Sequence, residues 1–224
     1  AGIIQSRISQ GYKVIAVVSA MGRGPDDTNT KPGDPYATDT LLQLLPESPE
    51  HICLREKDLL MTCGEIISSI TLSCHLRKAG IAARARTGYE SGILTDGNSN
   101  NARILAIIPE RLQRDLHLMD VVVVAGFQGI SIDGRITTLG RGGSDTTAVA
   151  LGHALKAERI EVYTDQKGIF SADPRDVPEA VQLKVINAKD IVHMSWAGAK
   201  VLHPRSAELI EKYGLNVFLG NINS

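Results

Sequence analysis

The residues best suited to chemistry lie in Thr137-Thr138-Leu139-Gly140-Arg141-Gly142-Gly143-Ser144-Asp145-Thr146-Thr147. Its three glycines let a ligand come close to the backbone. The helix-forming run that follows, AVALGHALKA, would present unpaired N–H groups to an anion. Arg141 adds a planar fork suited to a carboxylate or a phosphate, and Ser144 is a candidate helix cap. Asp145 is either an acid favourably placed at a helix start, worth roughly 0.3–1 kcal/mol, or a group that orients a cation over the loop. An ordinary glycine turn with a cap also fits, because the spacing is neither GxxxxGK[ST] nor GxGxxG.

Three other segments have the same double character. Tyr163 to Arg175, YTDQKGIFSADPR, leaves the end of an apolar strand. It is either a ligand loop at the carboxyl end of a sheet strand or a plain Asp/Gly/Pro turn. In Thr62-Cys63-Gly64-Glu65 an acid enters an otherwise apolar helix, either as an N-terminal charge or to meet a substrate amine. In Gly198-Ala199-Lys200-Val201-Leu202-His203-Pro204 a lysine stands near a helix start, against the dipole preference, and such a local conflict points to function. Asp96 to Asn100 imitates a calcium loop but has Asn101 at the sixth position and Ile107 at the twelfth. No GxSxG occurs, and the six histidines show no HxxxH or HxH spacing, so no metal ligands are assigned.

Alternating strand-like and helix-like segments must hold these residues. Residues 13–19 and Val121–Ala125 are near-continuous apolar runs, as strands covered on both faces are. Residues 21–36 form a long surface loop, after which Thr38-Asp39 is expected to cap a short helix. Residues 55–79 have a helical pattern with Leu59, Leu60, Ile66, Ile67, Ile70, Leu72 and Leu76 on one side, interrupted at Gly64 and stopped at Gly80. A strand at 81–87, a helix at 110–116 opened by Pro109 and a hairpin over 130–139 about Asp133-Gly134 follow. A helix over 145–157, a strand at Ile160–Thr164, a helix near 199–213 and a strand at 216–219 complete the pattern. The alternation predicts an α/β fold, a three-layer αβα sandwich with a mostly parallel central sheet, in one domain spanning 1–224.

The 224 residues carry 24 Lys+Arg against 25 Asp+Glu, which removes the case for broad nucleic-acid or anionic-membrane binding. Aromatics are only 4%, too few for base-stacking platforms. No apolar run approaches the roughly 18–20 residues of a membrane span. Cys53, Cys63 and Cys74 have no CxxC spacing and are read as reduced, buried thiols of a cytoplasmic protein.

Taken in order, VVSAMGR (17–23), GDPYATDTLLQLL (33–45), CGEIISS (63–69), TGYESGILTDGNSNNARI (87–104), VVVAGFQGI (122–130), TTLGRGGSDTTAVALGHALKAE (137–158), VYTDQKGIFSADPR (162–175) and GAKVLHPRSAEL (198–209) resemble the signatures of aspartokinases, in the amino-acid kinase family. The resemblance implies the amino-acid kinase fold and transfer of the ATP γ-phosphoryl group to the β-carboxylate of L-aspartate, with Mg²⁺ on the phosphates. The product is 4-phospho-L-aspartate, on the way to lysine, threonine and methionine. By similarity Glu65 would bind the α-ammonium, Arg141 a substrate carboxylate, and Thr38 would line the aspartate pocket. Ser144 and Asp145 would complete that site, with Asp145 orienting a catalytic lysine. Thr164, Asp165, Phe170, Ser171, Ala172, Asp173, Pro174 and Arg175 would hold the nucleotide, with Lys200 and Val201 at its adenosine and phosphate end. Phe170 stands where the family often has Tyr, keeping the stacking face and losing the hydroxyl.

Two departures accompany the resemblance. The family opens with a KFGGTS or KYGGTS turn whose lysine stabilises the moving phosphoryl group; neither occurs here, and Lys13 is no substitute. Family members also continue into ACT regulatory domains, with homo-oligomers expected of the full-length parent. The expectation is a catalytic domain shortened at both ends. The rival readings are a glutamate, acetylglutamate, carbamate or uridylate kinase, and a non-catalytic nucleotide-binding or assembly subunit.

Overall fold

The computed structural model describes residues 1–25, 33–46, 48–164, 168–172, 177–199 and 202–221. Two compact units share the chain, Ala1–Thr147 and Ala148–Ser224.

The first unit is organised by β5 (Val121–Ala125), a VVVVA run with no exposed surface on any residue. It lies between β1 (Val14–Val18) and β2 (Ala83–Arg86), parallel to both, with Val123 in register with Ala16 and Ala85. The central strand therefore matches the expected fully covered run. β1, the edge strand of this sheet among the described residues, is only half-buried, which corrects the expectation of a strand covered on both faces. Leu76, Ala83, Val121 and Val123 form a core cluster, with Ile4 and Ile8 of α1 (Gly2–Ser9) packed against it.

A second, mixed sheet of the same unit has the order β4 (Ile104–Ile107), β3 (Ile93–Thr95), β6 (Gln128–Ser131) and β7 (Ile136–Thr138). The expected hairpin is its β6–β7 edge, turned at Gly134 with φ +81°. β3 and β4 have only three and four residues, too short for alternation to reveal them. α4 (Glu110–Leu118) follows Pro109 as expected and brings Asp115 to Arg84 and Arg86 of β2.

The helix expected over 55–79 is α3 (Leu54–Lys78), and two expectations about it are corrected. It runs unbroken through Gly64, whose missing side chain leaves room for another segment: a Cβ there would sit 2.7 Å from Ala20 Cβ and 2.9 Å from the Tyr36 carbonyl. Its most buried positions are also largely polar and small, Asp58, Thr62, Gly64, Glu65, Ser68, Ser69 and Ser73, while Ile70 is 51% exposed. Small side chains let a helix approach neighbouring backbone closely, and polar ones can bond to it. Among the described residues α3 is the one helix long and apolar enough to cross a membrane, but it packs on β1, β2, β5 and β7 as a core helix does.

The second unit contains the parallel pair β8 (Ile160–Thr164) and β9 (Val217–Asn221) with α6 (Ala188–Trp196) and α7 (Pro204–Tyr213). Its core is Val149, Val162, Ile169, Ile191, Leu202, Ala207 and Ile210. Val149 comes from α5 (Gly143–Ala154), the helix expected over 145–157. α6 was not foreseen. α7 starts at Pro204, not near Ala199, because His203 is extended and the proline fixes the first helical position. Lys200, read from the sequence as a lysine near a helix start, lies outside the described residues. The cysteines are corrected too: all are free, but Cys53 and Cys74 are exposed and Cys63 is only half-buried.

Candidate functional site

Parallel strands β1, β5 and β2 end at one edge of their sheet, and the first unit gathers its chemical groups there. Open α/β sheets bind ligands at this carboxyl edge because the loops leaving it are free to vary while the strands fix their origins. The chain after β1 reaches Ala20, whose N–H donates to Glu65 Oε1 at 3.1 Å. Glu65 is 4% exposed, and its Oε2 is buried without a partner among the described residues. Burial raises this carboxyl to about 7, and hydrogen bonding to backbone N–H groups offsets that only in part. A buried acid with one satisfied oxygen and one bare one is a receptor for a cation or a proton.

α2 (Thr38–Leu42) packs on α3 beside this point, with Tyr36 just ahead of it over Gly64. Thr38 is the first helical residue and half-buried. It does not cap the helix: Ala37 holds the cap position, buried and extended, and makes no side-chain bond.

After β5 the chain passes Gly126 to Phe127, a non-glycine residue at φ +69°. A Cβ on Gly126 would meet Ser144 Oγ at 2.8 Å, and one on Gly143 would meet the Phe127 ring at 2.7 Å. These glycines let the start of α5 lie directly on the end of β5. The Phe127 N–H is taken by Thr147 Oγ1 at 3.2 Å, which holds the strained residue in place. Sequence reading missed Phe127; its one available signal was a bulky residue set between two glycine-containing turns, AGFQG.

The glycine-rich loop leaves β7 with Leu139 N–H donating to Phe127 O at 2.8 Å. Gly140 and Gly142 adopt φ +78° and +66°, which a side chain would strain. Arg141 stands exposed between them. α5 begins at Gly143, so Ser144 lies inside the first turn and is not its cap. Asp145 is half-buried in that turn, and burial raises its carboxyl above the usual aspartate range.

Thr38, Glu65, Arg141, Ser144 and Asp145 thus belong to one unit and its carboxyl edge. The nucleotide residues expected from the sequence lie in the second unit or outside the described residues. Thr164 ends β8, paired with Asn221. Phe170 bridges to Gln182, and Ser171 N–H donates to Val181 O at 2.9 Å, so Ile169 to Ala172 run along a short ribbon. Asp165, Asp173, Pro174, Arg175, Lys200 and Val201 lie outside the described residues.

A buried acid with one unpartnered oxygen, a glycine-rich loop and a helix start thus lie at the carboxyl edge of a parallel sheet in an α/β protein. The chain belongs to the amino acid kinase family, whose sequence pattern matches residues 1–221. It is 49% identical over 208 residues to aspartokinase 1 of Bacillus subtilis, covering 93% of this chain and 50% of that protein. The crystal structure of aspartate kinase from Synechocystis superposes with a TM-score of 0.80 at 39% identity, over 100% of this chain and 35% of that one. E. coli aspartokinase III in complex with aspartate and ADP superposes with a TM-score of 0.70 at 32% identity, over 76% of this chain and 39% of that one. The fold is therefore the amino-acid kinase fold foreseen. The chain spans about half the length of the curated relatives it matches.

Proposed function

We propose that this chain is the catalytic domain of an aspartate kinase, transferring the γ-phosphoryl group of ATP to the β-carboxylate of L-aspartate. The observation that carries the reading is Glu65: a buried acid with one bare oxygen, at a sheet edge that also presents Arg141. An α-amino acid offers an ammonium for the first and a carboxylate for the second. The 49% identity to an aspartokinase favours aspartate over the other acceptors of the family.

The chemistry asks little of the protein beyond placement. The β-carboxylate is ionised at pH 7, so its oxygen attacks the γ-phosphorus without a general base, and the bond from that phosphorus to the bridging oxygen breaks to release ADP. Glu65 holds the ammonium, Arg141 and Thr38 fix the substrate carboxylate end, and Ser144 and Asp145 at the start of α5 complete the pocket. Thr164 and Phe170–Arg175, with Lys200 and Val201, hold the nucleotide. Mg²⁺ is expected to come on the ATP phosphates, where it would need at most one or two carboxylates of the protein. Bound there, it neutralises phosphate charge. We take the compartment as cytoplasm, on the three free thiols, and the full-length protein as a homo-oligomer.

The test is calorimetric titration of L-aspartate and hydroxylamine trapping of aspartyl phosphate with Mg·ATP, on the chain alone and with a KFGGTS-bearing segment placed before Ala1. Saturable aspartate binding, with product from at least the extended form, is expected. Neither binding nor product in either form overturns the reading.

A further inference from the structure

Asp58 lies near the start of α3, with no exposed surface. Its Oδ1 accepts from Thr138 Oγ1 at 2.6 Å and from the Asn100 N–H at 2.9 Å. Its Oδ2 is buried without a partner among the described residues. A buried carboxyl that leaves one oxygen unpaired costs stability, and such a group persists where the surroundings fix it for another purpose.

What it holds is the root of the glycine-rich loop. Thr138 is the last residue of β7 and precedes Leu139 and Gly140 directly. The Thr138 carbonyl accepts from Ala102 N–H at 2.9 Å. Asn100 adopts φ +60°, and its carbonyl oxygen lies 3.2 Å from where a Cβ on Gly140 would be. One carboxyl group therefore ties α3, the turn around Asn100 and the end of β7 together, one residue before the loop begins. α3 is also the helix that carries Glu65, seven positions further on.

We propose that Asp58 is a positioning residue. It sets the loop that carries Arg141 against the helix that carries Glu65, and so fixes the distance between the two ends of the substrate site without touching substrate. This rests on the aspartate-binding reading given above.

The experiment uses the full chain as wild type, D58A, D58N and T138V. It measures affinity for L-aspartate and for ADP by calorimetry, and amide hydrogen exchange over residues 138–143. D58A is expected to weaken aspartate binding about tenfold with ADP affinity unchanged and to speed exchange over 138–143. D58N keeps an acceptor at Oδ1 and is expected to restore most of both, and T138V, which loses one of the two donors, to fall between. D58A and T138V with wild-type aspartate affinity and wild-type exchange overturn the inference, as does equal loss of ADP binding, which marks general destabilisation. If D58A does not fold, T138V decides by the same readouts. If the wild type binds no aspartate, the functional reading falls by itself; faster exchange in T138V then still supports the anchoring, and unchanged exchange overturns it.

Discussion

Glu65 accepts from the Ala20 N–H and has its other oxygen without a partner among the described residues, with its carboxyl raised to about 7 by burial. A substrate ammonium brought beside it favours the ionised form, so aspartate binding should release a proton from Glu65 near and below pH 7 and weaken as pH falls further. Titrations in buffers of different ionisation enthalpy read that proton directly. Glu65→Gln should abolish the release and weaken aspartate binding by roughly 10- to 100-fold, the loss of a charge-assisted hydrogen bond. Arg141 is exposed, and its value is geometric. Arg141→Lys keeps the charge and loses the two-pronged grip, so aspartate affinity should fall about tenfold with ADP affinity unchanged. Both residue types were readable from the sequence as candidates, because an acid in an apolar run and an arginine among glycines are local anomalies. The burial of Glu65, and hence its raised carboxyl, was not readable, since it depends on the chain after β1 folding over α3.

Among the elements, α3 shows most plainly how packing overrides propensity. Gly64→Ala would gain up to about 1 kcal/mol of helix propensity. The new methyl would meet Ala20 Cβ at 2.7 Å and the Tyr36 carbonyl at 2.9 Å, and overpacking of that kind costs about 1–3 kcal/mol. The clash wins. Thermal melting should show a lower Tm, and aspartate titration a weaker fit, because Ala20 is displaced from Glu65. On β2, the other edge strand of the parallel sheet, Arg86 donates to Asp115 from Nε at 2.7 Å and Nη2 at 3.1 Å, and Arg84 also pairs with Asp115. Asp115→Ala should cost about 2–4 kcal/mol in urea unfolding, less than a fully buried pair because the Arg84 side chain is 37% exposed. Helix starts proved harder to read than helix bodies. Thr38 and Ser144 are good capping residues that sit inside their helices, as the first residue of α2 and the second of α5.

Across the whole molecule these groups give stability a pH dependence of known sign. Glu65 binds its proton more tightly folded than unfolded, so its contribution falls as pH rises from about 4.5 to about 7, leaving a penalty on the order of 3 kcal/mol above that range. Asp115 and Glu90 are held below their usual range, Asp115 first by its hydrogen bond from Arg86 and Glu90 by Thr87 and Arg86 against the opposing effect of burial. Their contribution is present above the unfolded carboxyl range and is lost as pH falls through their lowered values. Burial lowers His203 in the second unit, so acidification below about 6.5 costs stability there, because the unfolded state takes up that proton more readily. Comparing wild type with Glu65→Gln isolates the first effect: ligand-free Glu65→Gln should be the more stable protein at pH 8, with the advantage vanishing near pH 4.5. Equal Tm values for the two at pH 8 would show that Glu65 carries no such penalty.

The sequence by itself determined the central strand VVVVA, the Asp133-Gly134 hairpin, the alternation of strands and helices, and the ordered signatures that mark the family. Each is written in contiguous residues, by runs, periods and turn chemistry that need no distant partner. Tertiary structure alone decided which oxygen of Glu65 stays bare, that Phe127 is held at φ +69° by Thr147, and that Asp58 reaches 80 residues along the chain to Thr138. Those depend on contacts between segments far apart in sequence, whose approach is set by glycine-sized gaps and buried polar pairing that no local pattern records.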